Sequence, residues 1–433
     1  MPEPLISFGG IVRLIRHNRN FRLLWSAQII SEVGDWLYAV VLYSLLLQIT
    51  GRAQSIGFTL ALQLLPQLFV SPMAGVLNDR ISRKRIMIFT DVARAVIIFG
   101  MLFTQTADRI PLLYVLLVLE TIMWAFFEPG RSAIVPNITR NDEERLVANT
   151  LGGVTWAVAF FLGSSLGGFL AAAFGRNFVF IFDAVSFLFS AWLISRMQFA
   201  EPHLATAPPF TWRDLAGSTA FTDGLRYAWA DKRRRATLMV KAGVGLMGSN
   251  YVILSVMGQR EFPLYWSTTD PRAAAMMGIS TLMAARGFGA MLGPWLVGRW
   301  AGHDPLKMRL GIAAGFGLVL TGYGILSQST SLALAMAGIA LAHGGASTAF
   351  VFSTNLLQTL SDDAFRGRLL STDFAGMVIS LSVSSCLAGW AVDHGLPARQ
   401  AALATALIML APLTCWLIIT RNWINSYKSN MVR

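Results

Sequence analysis

The chain has 433 residues, 55% of them hydrophobic and only 13% charged, with a formal net charge of +12. A soluble domain carries about 25% charged residues, so this composition, with its 28 Phe, 13 Trp and 38 Gly, excludes an ordinary water-soluble fold and points to a chain solvated by lipid. The cations fall in short runs between apolar segments, a pattern of membrane topology rather than of nucleic-acid binding, and the two cysteines, Cys386 and Cys415, lie in apolar stretches and indicate neither a disulfide framework nor a metal site.

A spanning helix needs about 20 mostly apolar residues, a spanning strand only about 10. Twelve runs have helical length: 22–48, 54–77, 84–105, 110–130, 146–172, 177–197, 236–260, 272–299, 308–328, 330–356, 367–393 and 398–420. Arg13, Arg16, Arg19 and Arg22 precede the first run. That run is too long for a signal-peptide core and ends in no small-residue cleavage site, so it is expected to remain as the first span. Between the second and third runs lies a short charged hinge, Gly75-Val-Leu77-Asn-Asp79-Arg80-Ile-Ser82-Arg83-Lys84-Arg85. The one long connection, 198–235, holds Pro202, Pro208, Pro209 and the run Lys232 to Arg235. It divides the chain into six-helix halves, 1–197 and 236–433, and its middle, Trp212 to Trp229, is expected to form an amphipathic interfacial helix.

Charge sets the expected orientation. With both termini in the cytoplasm, six of the 35 Lys and Arg (Arg52, Arg109, Arg176, Arg260, Arg272 and Arg399) lie outside and three (Arg94, Lys241 and Arg286) lie within spans. All the others lie inside, as the positive-inside rule requires. The halves also echo each other weakly. Pro72-Met-Ala-Gly75 ends the second span and Pro294-Trp-Leu-Val-Gly298 the eighth, while Glu128-Pro129-Gly130-Arg131 leaves the fourth and Asp363-Ala-Phe-Arg366-Gly367-Arg368 the tenth. Two halves related by an axis along the membrane normal give such a pattern.

The charged hinge resembles the signature loop of the major facilitator superfamily, Gly-x-Leu-x-Asp-Arg-x-Gly-Arg-[Arg/Lys]-[Arg/Lys], with Ser82 in place of the second Gly. Further stretches are similar to the twelve-span drug/proton antiporter-like branch, which includes macrolide and siderophore exporters. They are Asn20 to Trp25 leading to Ser31-Glu-Val-Gly34-Asp35-Trp36, Asp91-Val-Ala-Arg94, Pro129 to Pro136, and Phe182-Asp183-Ala-Val-Ser186-Phe187. The fifth span departs from the antiporter pattern Gly-x-x-x-Gly-Pro-x-x-Gly-Gly. It reads Ala159-Phe-Phe-Leu-Gly163-Ser164-Ser-Leu-Gly167-Gly168 and lacks the bend that a proline imposes. The resemblance implies an all-α membrane fold of two pseudo-symmetric six-helix bundles. It also implies alternating access, with Asp79 capping the eleventh helix of the other half to close the cytoplasmic side.

Ionisable residues inside spans are functional candidates by default. Asp35, mid-span in the first helix, is the first candidate for proton exchange. Glu32 lies one turn earlier on the same face, where two carboxylates favour one shared proton; the alternative for both is a packing role. Asp91 and Arg94, one turn apart, are expected to pair; otherwise Arg94 faces a cavity and holds an anionic substrate group, together with Arg286. Glu120 and Arg286 each require a partner or water, His343 is either a titrating group or a packing residue, and Lys241 is expected to snorkel to the cytoplasmic surface. At the hinge, Gly75 is expected to permit close helix approach. Asp79, Arg80, Arg83 and Arg131 are expected to form one gating network.

No His-Glu-x-x-His, Gly-x-Ser-x-Gly or clustered His and Cys marks an enzyme, and no cofactor or metal site is expected. The expected activity is export of a small amphipathic molecule by a monomer in the inner membrane of a bacterium, coupled to protons. A lipid-like substrate such as a lysophospholipid, moved without proton coupling, is the alternative.

Overall fold

A computed structural model describes residues 8–206, 220–266, 268–302 and 304–431. All regular structure among them is helical, and twelve helical segments are long and apolar enough to cross a membrane. They are Arg19–Thr50, Gln54–Arg80, Arg83–Thr104, Ala107–Ile138, Asp142–Phe174, Arg176–Ser195, Lys232–Arg260, Pro271–Ala301, Pro305–Gln328, Leu332–Thr359, Phe365–Asp393 and Ala398–Arg421. Several starts are fixed by local chemistry. Asn141 caps the fifth span by accepting from the Glu144 amide, with Asp142, Glu143 and Glu144 in the first turn, where the helix dipole favours negative charge. Asp270 and Asp304 cap the eighth and ninth spans, each followed by a proline whose missing N–H is no loss at that position.

The termini of the spans differ from the hydropathy reading where charges continue a helix. The seventh span begins at Lys232 rather than 236, because Asp231 accepts from the Arg233 and Arg234 amides and carries the basic run into the first turn. The signature hinge is mostly helix. The second span runs to Arg80 and the third starts at Arg83, leaving only Ile81 and Ser82 between them. Phe8–His17 forms a further helix before the first span. Its Leu14 enters an apolar cluster with Phe21, Leu24, Met87, Ile134 and Ile138.

The chain forms two compact units. The first comprises residues 1–45 and 62–218; the second comprises residues 46–61 and 219–433. In the first unit Glu201 braces the hinge, accepting from Ser82 Oγ at 2.5 Å and from the Arg83 amide at 2.7 Å. In the second unit Ala220–Trp229 is helical, and residues 212–219 of the expected amphipathic helix lie outside the described residues. Tyr227 stacks on Phe365 with ring centroids 4.6 Å apart, and its hydroxyl donates to Asp362 at 2.9 Å, which ties this helix to the start of the eleventh span. The second unit also contains the turn between the first two spans. There the Asp393 carboxylate accepts from the Ala53 and Gln54 amides at 2.6 and 2.9 Å, capping the second span, while Arg260 donates to the Gly51 carbonyl.

Candidate functional site: buried charge networks

The first unit is organised around Arg94, whose side chain is only 3% exposed. Its Nε donates to Glu120 Oε1 at 2.8 Å, and its Nη2 donates to Asp35 Oδ1 and Oδ2 at 2.9 and 3.0 Å. The guanidinium also lies over the Phe187 ring, 3.9 Å from its centroid. Four spans therefore converge on one cation, and Asp35 is the member that remains open, at 27% side-chain exposure against 11% for Glu120.

This arrangement corrects the expected Asp91–Arg94 pair. Asp91 instead accepts from Ser190 Oγ at 2.6 Å, and its second oxygen has no hydrogen-bond partner. The two residues are one turn apart, but the long guanidinium reaches across to carboxylates on the first and fourth spans, which together offset its charge better than one neighbour would. With two carboxylates in contact, Arg94 is not a free anion receptor. Asp183, part of the stretch that resembles the antiporter-like branch, is a fully buried acid in the sixth span. It accepts from Ser186, and its Oδ2 has no partner. Its position inside a span was signal enough to single it out.

Close helix approach keeps Asp35 in place. A Cβ on Gly34 would sit 2.7 Å from Ser186 Oγ and closer still to Asp183 Oδ1. On the other side, a Cβ on Gly163 would sit 2.6 Å from Trp36 Cβ and 2.8 Å from the Val33 carbonyl. The fifth span thus keeps the small residue that packs on the first span although it lacks the motif proline. Gly34→Ala should lower stability by about 1–3 kcal/mol through overpacking, read as a lower thermal midpoint in detergent. An unchanged midpoint would show that the sixth span yields at no cost.

Glu32 belongs to a separate network and forms no hydrogen bond with Asp35. Its Oε1 accepts from Gln28 Nε2 at 2.9 Å; Gln28 Oε1 in turn accepts from Arg131 at 3.2 Å, and Arg131 forms a two-pronged ion pair with Glu128. The expected shared proton and the expected union of Arg131 with the hinge are both corrected. Arg131 and Glu128 are one turn apart on the same helix and satisfy each other. At the hinge, Arg83 donates to Asp79 at 3.3 Å, to the Asn78 carbonyl at 3.1 Å and to the Ala133 carbonyl at 3.0 Å, stapling the second span to the fourth. Arg80 is the last residue of the second span. Gly75 makes no close approach, since a Cβ there would meet nothing within 4 Å.

In the second unit Lys241 does not snorkel. It is 4% exposed and pairs with Asp373 of the eleventh span at 2.6 Å, its ammonium 4.2 Å from the centre of the Phe350 ring. Asp373, a fully buried acid, was legible as an ionisable residue within a span but was not singled out. Arg286 donates to the Tyr251 hydroxyl at 2.8 Å and lies over that ring, while His343 is buried with its Nε2 unpartnered.

Twelve helices long and apolar enough to cross a membrane, with ion pairs buried among them, describe a polytopic membrane protein. The chain belongs to the Major Facilitator Superfamily, whose family model matches residues 24–372. Relatives that match nearly the whole chain are described as an MFS-type transporter and a multidrug efflux pump. It is 24% identical over 404 residues to the multidrug efflux pump Tap of Mycobacterium bovis, covering 91% of this chain and 90% of Tap. It is 27% identical over 180 residues to the putative bacilysin exporter BacE of Bacillus subtilis, covering 41% of this chain and 44% of BacE. The matches to this and other Bacillus relatives span less than two thirds of those proteins' length. Among solved structures, the nucleoside transporter NupG superposes with a TM-score of 0.70 at 11% identity, covering 92% of this chain and 98% of NupG, a likeness of fold alone.

Proposed function

We propose that this transporter exports a small amphipathic molecule in exchange for protons, with Asp35 as the proton acceptor. The observation that carries the reading is the Arg94–Asp35–Glu120 arrangement. One guanidinium faces two carboxylates in a buried site, so one negative charge is left over, and its desolvation is costly. A proton on the open member, Asp35, neutralises that charge and frees Arg94 to bind Glu120 alone. The efflux activity in the names of Tap and BacE supports the direction of transport. The proposed setting is the inner membrane of a bacterium, both termini cytoplasmic, with the protein acting as a monomer. Asp79, Arg80 and Arg83 at the hinge are proposed to stabilise the outward-open state.

The test is accumulation of fluorescent amphipathic compounds in cells expressing wild type or Asp35→Asn, with and without a protonophore. The wild type is expected to lower accumulation of at least one compound, and both the substitution and the protonophore to abolish that effect. Export that survives both treatments would sink proton coupling through Asp35 and favour the uncoupled, lipid-like alternative.

A further inference from the structure

Two grooves meet at the hinge of the first unit, and Ile81 and Arg85 line both. The first, about 300 Å³ in volume, is apolar. Leu77 and Ile81 at the end of the second span, Ile86 and Phe89 of the third, and Met123 and Phe126 of the fourth line it. Thr90 supplies the one hydroxyl of this lining and donates it to the Ile86 carbonyl at 2.9 Å, so nothing polar is left for the groove to offer along its length. The walls are held by backbone contacts. Asn78 Nδ2 donates to the Phe126 carbonyl at 3.1 Å, and Arg83 Nη1 to the Ala133 carbonyl at 3.0 Å. Phe89 also begins a stripe of exposed apolar residues along the third span, with Val92, Val96 and Phe99, a face that lipid must cover.

The second groove, about 570 Å³, is polar, with Arg80, Lys84 and Arg85 in its lining against one carboxylate, Glu201. That carboxylate is already engaged. It accepts from Ser82 Oγ at 2.5 Å and from the Arg83 and Lys84 amides at 2.7 and 3.4 Å, so it braces the start of the third span rather than the side chains of the cations. Lys84 gives one of its N–H groups to the Met197 carbonyl at 2.7 Å and keeps the others to donate. Arg85 is exposed, and among the described residues its guanidinium has no hydrogen-bond or ion-pair partner. Arg94 and Lys241 are matched by carboxylates, whereas Arg85 stands unmatched at the junction of an apolar groove and a cationic one.

We infer that the two grooves form one binding site for an anionic phospholipid, its phosphate held by Arg85 and Lys84 and an acyl chain laid along Leu77, Phe89 and Met123. An apolar groove continuous with a cationic one has the two-part chemistry of that molecule. The guanidinium fork matches a phosphate, and basic clusters between helices at the cytoplasmic surface recognise anionic headgroups. A soluble phosphate compound would use the cationic groove and leave the apolar one uncovered. A zwitterionic lipid would fill the apolar groove but bring a cation of its own toward the excess positive charge. The inference goes beyond export and takes from that reading only the orientation, which sets the hinge at the cytoplasmic surface of the bilayer.

The test titrates the full chain in detergent micelles with dioleoylphosphatidylglycerol, dioleoylphosphatidylcholine and glycerol 3-phosphate, and counts bound lipid by native mass spectrometry. The tightest site should take phosphatidylglycerol about tenfold more tightly than phosphatidylcholine, and glycerol 3-phosphate should not displace it. Arg85→Gln should cut that preference about fivefold, the share of one basic residue beside a headgroup, while Arg85→Lys should keep most of it. Leu77→Trp fills the apolar groove and leaves every charge in place; it should weaken both lipids several-fold. Asp35→Asn should change none of these values, so a failure of proton coupling and a failure of the lipid site read out separately. Equal affinity of the wild type for the two lipids, displacement by glycerol 3-phosphate, or a preference that survives Arg85→Gln would overturn the inference. Should Arg85→Gln fail to fold by size exclusion, Leu77→Trp decides, and unchanged lipid affinities in that variant would overturn it equally.

Discussion

Arg94→Met is expected to destabilise the protein by about 3–5 kcal/mol, because it leaves Asp35 and Glu120 facing each other in a buried site without their cation. The measurement is unfolding in detergent, by thermal scan or denaturant. The sign is diagnostic when a second substitution is added. Glu120→Gln alone removes one partner of Arg94, but in the Arg94→Met background it removes a repulsion, so the double variant should recover part of the loss. A coupling energy of about 0.5–3 kcal/mol is the range for groups in one network. Were the two effects simply additive, the carboxylates would not be acting on each other through Arg94, and the charge argument for Asp35 would lose its basis. Transport by Arg94→Met should be absent whatever its stability, since no cation remains to exchange between the two acids.

Lys241→Met gives the second large effect, again about 3–5 kcal/mol, for a different reason. Asp373 is fully buried, and the Lys241 ammonium 2.6 Å away is its ion-pair partner. A snorkelling lysine could be replaced by methionine almost without cost, whereas a buried pair cannot lose one member cheaply. Replacing both, as Lys241→Met with Asp373→Leu, should come out near neutral or stabilising, because both desolvation costs then vanish together. If the single variant unfolds like the wild type, the pair is not formed in the membrane. If the double variant is as damaged as the single one, the site needs polarity for packing rather than for charge balance.

The fold was readable because membrane solvation imposes a strong and local rule. Each span announced itself by about 20 apolar residues, whatever it packed against. Where boundaries moved, as at Lys232, a cap one residue earlier had extended the helix through charges that hydropathy counts as loop. Phe8–His17 escaped notice because it is too short to span. The charge networks were legible only in part. Their members were visible as acids and bases within spans, but their partners were not. Spacing along one helix favoured Asp91 for Arg94, while the actual partners lie 26 and 59 residues away. Lys241 and Asp373 pair over a still greater separation. Such choices depend on which helices become neighbours, and helices that are apolar nearly all round carry little record of the face they bury.

The Asp393 cap on the second span has a consequence for how the chain is made. Its two partners lie 340 residues apart. Residues 53 and 54 leave the ribosome early, whereas Asp393 follows on the order of tens of seconds later at ordinary rates of synthesis. Throughout that interval the first helical hairpin sits in the bilayer with the start of its second helix uncapped by its own chain. Synthesis of the eleventh span is thus recorded at one of the chain's earliest turns, and a nascent chain stalled before its end would be distinguishable there from one that has passed it.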